Sequence, residues 1–218
     1  MQVEIWSDVA CPFCYLGKRN FETALADYAG AGEVQVIWRS FQLAPELPRT
    51  AEERGETGNM HRYLAELKGI SYEDAVALND RVVQMGAEAG LDYNFDIAIP
   101  ANTFDAHRLL QSALETGRQN ELKERLLRGY FSEGVDLLDH GALARIYEDA
   151  GLSRRDAERI LAGDEFAAEV QRDRAEGAAL GLRGVPFFVI DRAFGVSGAQ
   201  PPEAFLHLLQ TAAESRAA

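Results

Sequence analysis

The only two cysteines of the chain stand together in Cys11-Pro12-Phe13-Cys14. Two thiols at this spacing can form and break a disulfide with each other, and the thiolate is the species that attacks. The motif follows a strand-like opening, Val3 to Asp8, and precedes a helix-like run, the setting of a thioredoxin-like redox pair. A helix starting near Pro12 would aim its free N–H groups and positive dipole end at Cys11, so a depressed Cys11 pKa is expected. Proline suits that first turn because its missing N–H would have had no helical partner. Two plainer readings compete, a chance pair of buried small residues and half of a zinc site. A closed zinc site needs two further ligands. No other cysteine exists, and His61, His107, His140 and His207 show no close ligand spacing, so a metal site would have to be shared across a dimer.

Composition narrows the setting. The 218 residues are 47% hydrophobic, ample for a packed core without disulfide staples. A net charge of −13 with no basic stripe disfavours nucleic acid and anionic lipid as partners. No apolar run is long enough to span a membrane. The opening Met1-Gln2-Val3-Glu4-Ile5 lacks a basic start and an apolar signal core, which points to the cytosol, where a lone cysteine pair is more often catalytic than structural.

The elements that must hold the pair follow from periodicity. Val3 to Ser7 reads as a buried strand, and Leu16 to Tyr28 as a helix stopped by Gly30 and Gly32. Val34 to Phe41 is apolar on both alternating faces, as expected of a central strand, and completes a right-handed βαβ unit. Pro45, Pro48 and the polar run Arg49 to Asn59 end that unit. No convincing strand appears in the next hundred residues. Met60, Tyr63, Leu64 and Leu67 make one amphipathic helix, and Leu143, Ile146, Tyr147 and Ala150 another. Ser71 with Asp74 and Ser153 with Asp156 read as N-terminal caps, and further helices are expected over Thr103 to Gly117 and Asn120 to Phe131. Strand character returns at Pro186 to Ile190 and Phe194 to Ser197, joined by a hairpin turn at Asp191 to Ala193, before a closing helix from Pro201 or Pro202. The class is α/β, with a large all-helical insertion between β-α-β and β-β-α halves. The boundaries are a thioredoxin-like domain over 1–50 and 165–218 and an inserted helical domain over 51–164.

The Cys-Pro-Phe-Cys motif, the helical insert and Gly184-Val185-Pro186-Phe187-Phe188 together resemble the DsbA-like branch of the thioredoxin superfamily, particularly its FrnE-like members. The resemblance spans essentially the whole chain. It implies a cis Val185–Pro186 bond beside the cysteines, whose neighbouring backbone pairs with an extended substrate segment, so Pro12, Phe13, Val185 and Pro186 are expected to contact substrate. Ile99 to His107 and Val196 to Gln200 also look like family segments. Asn102 there reads first as a helix cap and His107 as a satisfied helical side chain, with ligand contact and proton shuttling as the functional alternatives.

In such a site Cys11 is the nucleophile and Cys14, one turn deeper, resolves the mixed disulfide. Phe13 replaces the histidine of DsbA itself, which leaves the direction of exchange open. Asp8, three residues before Cys11, is a candidate proton carrier, although an aspartate ending a strand is more often a turn residue. Trp6, in the strand leading to Cys11, is expected to sense the redox state. No cofactor is expected beyond the Cys11–Cys14 disulfide itself, with glutathione a possible co-substrate. The expected partners are protein or peptide thiols and disulfides, and a homodimer is compatible. A sister group, the glutathione-dependent 2-hydroxychromene-2-carboxylate isomerases and kappa-class glutathione transferases, usually carries serine at the position of Cys11 and supplies the competing enzyme reading. A non-enzymatic metal-binding or interaction module is the reading from a different class.

Overall fold

The computed structural model describes residues 1–55 and 58–217; Glu56 and Thr57, inside the polar run that was expected to close the first unit, lie outside the described residues. Strand β1 (Gln2–Ser7), helix α1 (Pro12–Asp27) and strand β2 (Gln35–Ser40) form the parallel βαβ unit. Strands β3 (Phe187–Ile190) and β4 (Phe194–Ser197) add antiparallel pairings, and the sheet runs β2-β1-β3-β4. Asp191 and Arg192 turn the hairpin with positive φ angles of 47° and 57°. Helix α10 (Pro202–Ala217) packs beside α1 and closes the core through Phe205 and Leu209.

Helices α2 (Ala51–Arg54), α3 (Met60–Lys68), α4 (Tyr72–Glu88), α5 (Phe104–Glu115), α6 (Gln119–Ser132), α7 (His140–Asp149) and α8 (Arg154–Ala162) follow β2, and α9 (Ala167–Ala179) returns the chain to the sheet. The caps expected at Ser71 and Ser153 form, each side chain accepting the N–H three residues on. That bond satisfies one of the donors left free at a helix start.

Strand β2 corrects one expectation. It lies at the sheet edge, not in the centre, and the central strands are β1 and β3. Its two apolar faces reflect cover from helices on both sides, since α5, α6 and α9 all contact it. Side chains also cap the exposed edge. Gln119 accepts from Trp38 N–H and donates to Trp38 C=O, each at 2.8 Å, and Asp173 accepts from Ser40 N–H at 2.8 Å. An edge whose backbone groups are already bonded offers no template for pairing with another chain.

The first amphipathic helix differs in what its apolar stripe meets. In α3 the fully buried side chains are His61 and Ala65. Met60, Tyr63, Leu64 and Leu67 line a cavity, and Met60 also packs against the core.

Candidate active site

Cys11 occupies the N-cap of α1 with extended backbone (φ −101°, ψ 112°), and Pro12 opens the helix. Cys14 N–H donates to Cys11 C=O at 3.0 Å, which fixes the first turn and sets the second sulfur inside the first. Cys14 is fully buried, Cys11 is 3% exposed, and Phe13 between them is 41% exposed. The Cys11 thiol faces the Val185 carbonyl at 3.5 Å, immediately before a cis Val185–Pro186 peptide. Gly17 lets that loop approach. A Cβ there would lie 3.0 Å from Pro186 Cγ and 3.4 Å from Ala199 Cα, close enough that the proline loop would have to give way by a few tenths of an ångström. Gly198 N–H holds the other side of the loop by donating to Pro186 C=O at 2.8 Å.

The insert reaches the motif through Tyr93, whose hydroxyl donates to Pro12 C=O at 2.7 Å. Gly86 makes room for that ring, since a Cβ there would fall 2.4 Å from it.

Asp8 is buried and crowded with partners. Its carboxylate accepts from Leu43 N–H at 2.7 Å and Ala10 N–H at 3.4 Å and faces His107 Nε2 at 3.3 Å. Burial works against the anion, but the His107 bond and charge and the Leu43 N–H prevail, holding the Asp8 pKa below its ordinary value. What Asp8 gives Cys14 directly is its backbone N–H, 3.4 Å from the sulfur. Asn102 ties the insert to the loop after β2. Its side chain accepts from Phe104 N–H and Gln42, and donates to the carbonyls of Pro45 and Leu47.

The thiol electrostatics run opposite to the expectation of a Cys11 thiolate. Cys11 is pushed up, first by its hydrogen bond to Cys14 and then by burial. Burial also opposes ionisation of Cys14, yet the bond from Cys11 and the positive charge of Lys123 outweigh it, and Cys14 is lowered. The two thiols titrate as a coupled pair, and the donors converge on the deeper sulfur.

Lys123 was missed in the sequence, although a signal exists. Gln119, Leu122, Leu126, Leu127 and Tyr130 make the buried face of α6, and Lys123 falls within that periodicity.

Trp6 is also placed differently from the expectation. Side chains alternate along β1, so Trp6 points to the α9 side, where its Nε1 donates to Asp173 C=O at 2.9 Å. Ile5 and its cross-strand partner Trp38 pack with Phe21 of α1, on the side of the cysteines. The expected result is therefore a redox-dependent change in indole emission that Trp38→Phe abolishes and Trp6→Phe retains. Fluorescence of oxidised and reduced protein checks it, and a change that survives Trp38→Phe would refute the assignment.

Beside the motif lies an apolar cavity of about 270 Å³. Ala10 and Pro12 form one wall, the α3 stripe and Leu43 another, and Asp8, Thr103 and Tyr130 supply its polar points.

A parallel βαβ unit joined to a β-hairpin and helix, carrying a two-cysteine turn against a proline loop, defines the thioredoxin-like class. Within it the chain belongs to the DSBA-like thioredoxin domain family, whose model matches residues 2–210. It is similar to a probable DsbA oxidoreductase from Streptomyces coelicolor, with 41% identity, a TM-score of 0.90, and 97% of this chain and 89% of that one covered. The fold is also shared with the cytosolic disulfide reductase DsbM from Pseudomonas aeruginosa (16% identity, TM-score 0.68, all of both chains covered). A 2-hydroxychromene-2-carboxylate isomerase has the same fold, at 16% identity and TM-score 0.68, with 100% of this chain and 96% of that one covered.

Proposed function

We propose that this protein is a thiol–disulfide oxidoreductase in which Cys11 exchanges with substrate and Cys14 resolves the mixed disulfide, acting on protein, peptide or small-molecule disulfides. The observation that carries this reading is the stacking of the two thiols on one helical turn, the outer one against the Val185 carbonyl and the inner one fully buried and receiving the Asp8 N–H. An extended substrate lying along the Val185–Pro186 backbone would bring its own sulfur to Cys11, with Pro12 and the exposed Phe13 flanking it. Opening the internal disulfide leaves the electron pair on Cys14, whose lowered pKa makes it a good leaving group. The reaction needs no resident cofactor, since the cysteines carry the electrons, and glutathione is the natural small-molecule partner. We place the activity in the cytoplasm, in keeping with the similarity to a cytosolic disulfide reductase. Capture of substrate by the Cys14→Ser variant tests the reading.

The cavity favours a second one. An apolar space beside Pro12, with a carboxylate and a tyrosine at its wall, suits a small aromatic molecule held next to a glutathione thiol. This is the site that an isomerase or transferase would need, and serine at position 11 would then serve as well as cysteine.

A further inference from the structure

The cavity beside the motif carries polar atoms that the protein itself leaves open. Tyr130 is 1% exposed and lines it, and its hydroxyl takes no protein partner among the described residues. Asn79 of α4 also lines it and is also buried. Its amide nitrogen meets His61 Nδ1 at 2.9 Å, and its carbonyl oxygen receives no donor among the described residues. Neither Tyr130 Oη nor Asn79 Oδ1 is sealed in the interior, so both open to the cavity. Buried polar groups are kept with a partner, so these two atoms mark what the cavity is built to hold.

The direction of the Asn79 amide is fixed from outside the cavity. His61 of α3 is buried, with the Tyr72 ring edge-on at 5.9 Å between centroids. Its Nε2 lies 3.1 Å from Asp96, an exposed carboxylate that can only accept. The Nε2 proton therefore faces Asp96, Nδ1 is the acceptor of the neutral ring, and the Asn79 group that meets it is the NH2. That leaves the carbonyl to the cavity. Asp8 is the one charged side chain on the wall among the described residues, and its oxygens are taken by Leu43 N–H, Ala10 N–H and His107. The cavity thus offers an acceptor to a neutral donor and no cation to an anion.

We propose that the cavity takes a neutral, fused two-ring phenol, with Asn79 as the specificity-determining residue and His61 and Asp96 as the pair that positions it. This rests on the aromatic occupant of the second reading above and on no turnover. An apolar cavity of about 150 Å³ takes up benzene, so about 270 Å³ suits two fused rings. The ligand hydroxyl donates to Asn79 Oδ1, while Phe95, Phe131 and the α3 stripe cover the rings. A carboxylate on the ring, that of the chromene included, would bring a charge into an apolar space whose only ion is the Asp8 anion, and such ligands are excluded.

The test is binding of three probes to the full-length protein: 1-naphthol, naphthalene, which lacks the donor, and 1-naphthoate, which is an anion. Wild type should bind 1-naphthol about tenfold more tightly than naphthalene, the worth of one hydrogen bond, and 1-naphthoate at least about a hundredfold more weakly than 1-naphthol. In Asn79→Leu naphthalene should still bind, and the preference for 1-naphthol should vanish. Asp96→Ala changes an exposed residue and frees the His61 tautomer, so it should cut that preference about threefold. NMR of labelled methionine methyls in the unmutated protein locates the ligand, since 1-naphthol should shift Met60 on the cavity wall and leave Met1 and Met85 in place. Equal binding of 1-naphthol and naphthalene to wild type, or a preference that survives in folded Asn79→Leu, would overturn the role of Asn79 and leave an aromatic cavity standing. If neither ring shifts Met60, the aromatic reading and the proposal fall together.

Discussion

Replacing Cys14 with serine should turn the protein into a trap. In exchange chemistry Cys11 makes the covalent bond to substrate and Cys14 breaks it, so the variant stalls at the mixed disulfide. The geometry supports a large effect. Cys14 is fully buried one turn below Cys11, and its sulfur receives the Asp8 N–H, so it is held for an internal attack and shielded from external thiols. A serine there keeps the volume and loses the nucleophile. Incubated with disulfide-bonded peptides and analysed without reductant, Cys14→Ser should accumulate adducts linked through Cys11. Cys11→Ser and the double variant should accumulate almost none. A Cys14→Ser protein that captures no thiol partner would count against Cys11 as the exchanging sulfur, and adducts on Cys14 in Cys11→Ser would reverse the two roles.

The second large effect concerns stability. Asp173 is buried on α9, where its carboxylate accepts from Arg39 at 3.1 Å, Ser40 N–H at 2.8 Å and Gln111 at 2.5 Å. Through these bonds it joins α9 to the β2 edge and to α5. Asp173→Ala leaves the half-buried Arg39 guanidinium with Glu4 alone and deprives the buried Ser40 N–H and Gln111 of their acceptor, so it should cost about 3 kcal/mol. At the size of this domain that lowers Tm by roughly 10 °C. Asp173→Asn keeps one acceptor oxygen and should lose less. Denaturant unfolding of the reduced proteins checks the ranking, and an alanine variant within about 0.5 kcal/mol of wild type would contradict it.

Much of this architecture was legible because local rules and tertiary context agree. The βαβ unit, the caps at Ser71 and Ser153, the hairpin at Asp191 and the cysteine turn each follow from periodicity or a specific side-chain bond. Strand β2 misled because an edge strand covered on both faces has the pattern of a central one. The α3 helix was legible as amphipathic, and the cavity its stripe lines was not, since apolar spacing reports exclusion from water and does not distinguish a core from a cavity. The direction of the Trp6 side chain was not legible, because adjacency in sequence is not proximity in a strand, where successive residues point to opposite faces. The sharing of charge within the cysteine pair was invisible for a different reason. It depends on groups that only the folded chain brings near, the Asp8 N–H on the Cys14 sulfur and the charge of Lys123, more than a hundred residues away. Asp173 lies between Arg172 and Arg174 and has the local sequence of solvated surface. Its importance lies wholly in what the sheet edge presents to it.

The most direct measurement compares wild type and Cys11→Ser in two assays, reduction of a protein disulfide driven by a thiol donor and glutathione-dependent isomerisation of 2-hydroxychromene-2-carboxylate. Disulfide exchange requires the Cys11 sulfur, whereas glutathione-dependent isomerisation would require only a hydroxyl or thiol beside the bound glutathione. Wild type should turn over the disulfide, Cys11→Ser should fall to the uncatalysed background, and neither should isomerise the chromene. Wild type at background on disulfides, with Cys11→Ser isomerising the chromene at undiminished rate, would contradict it.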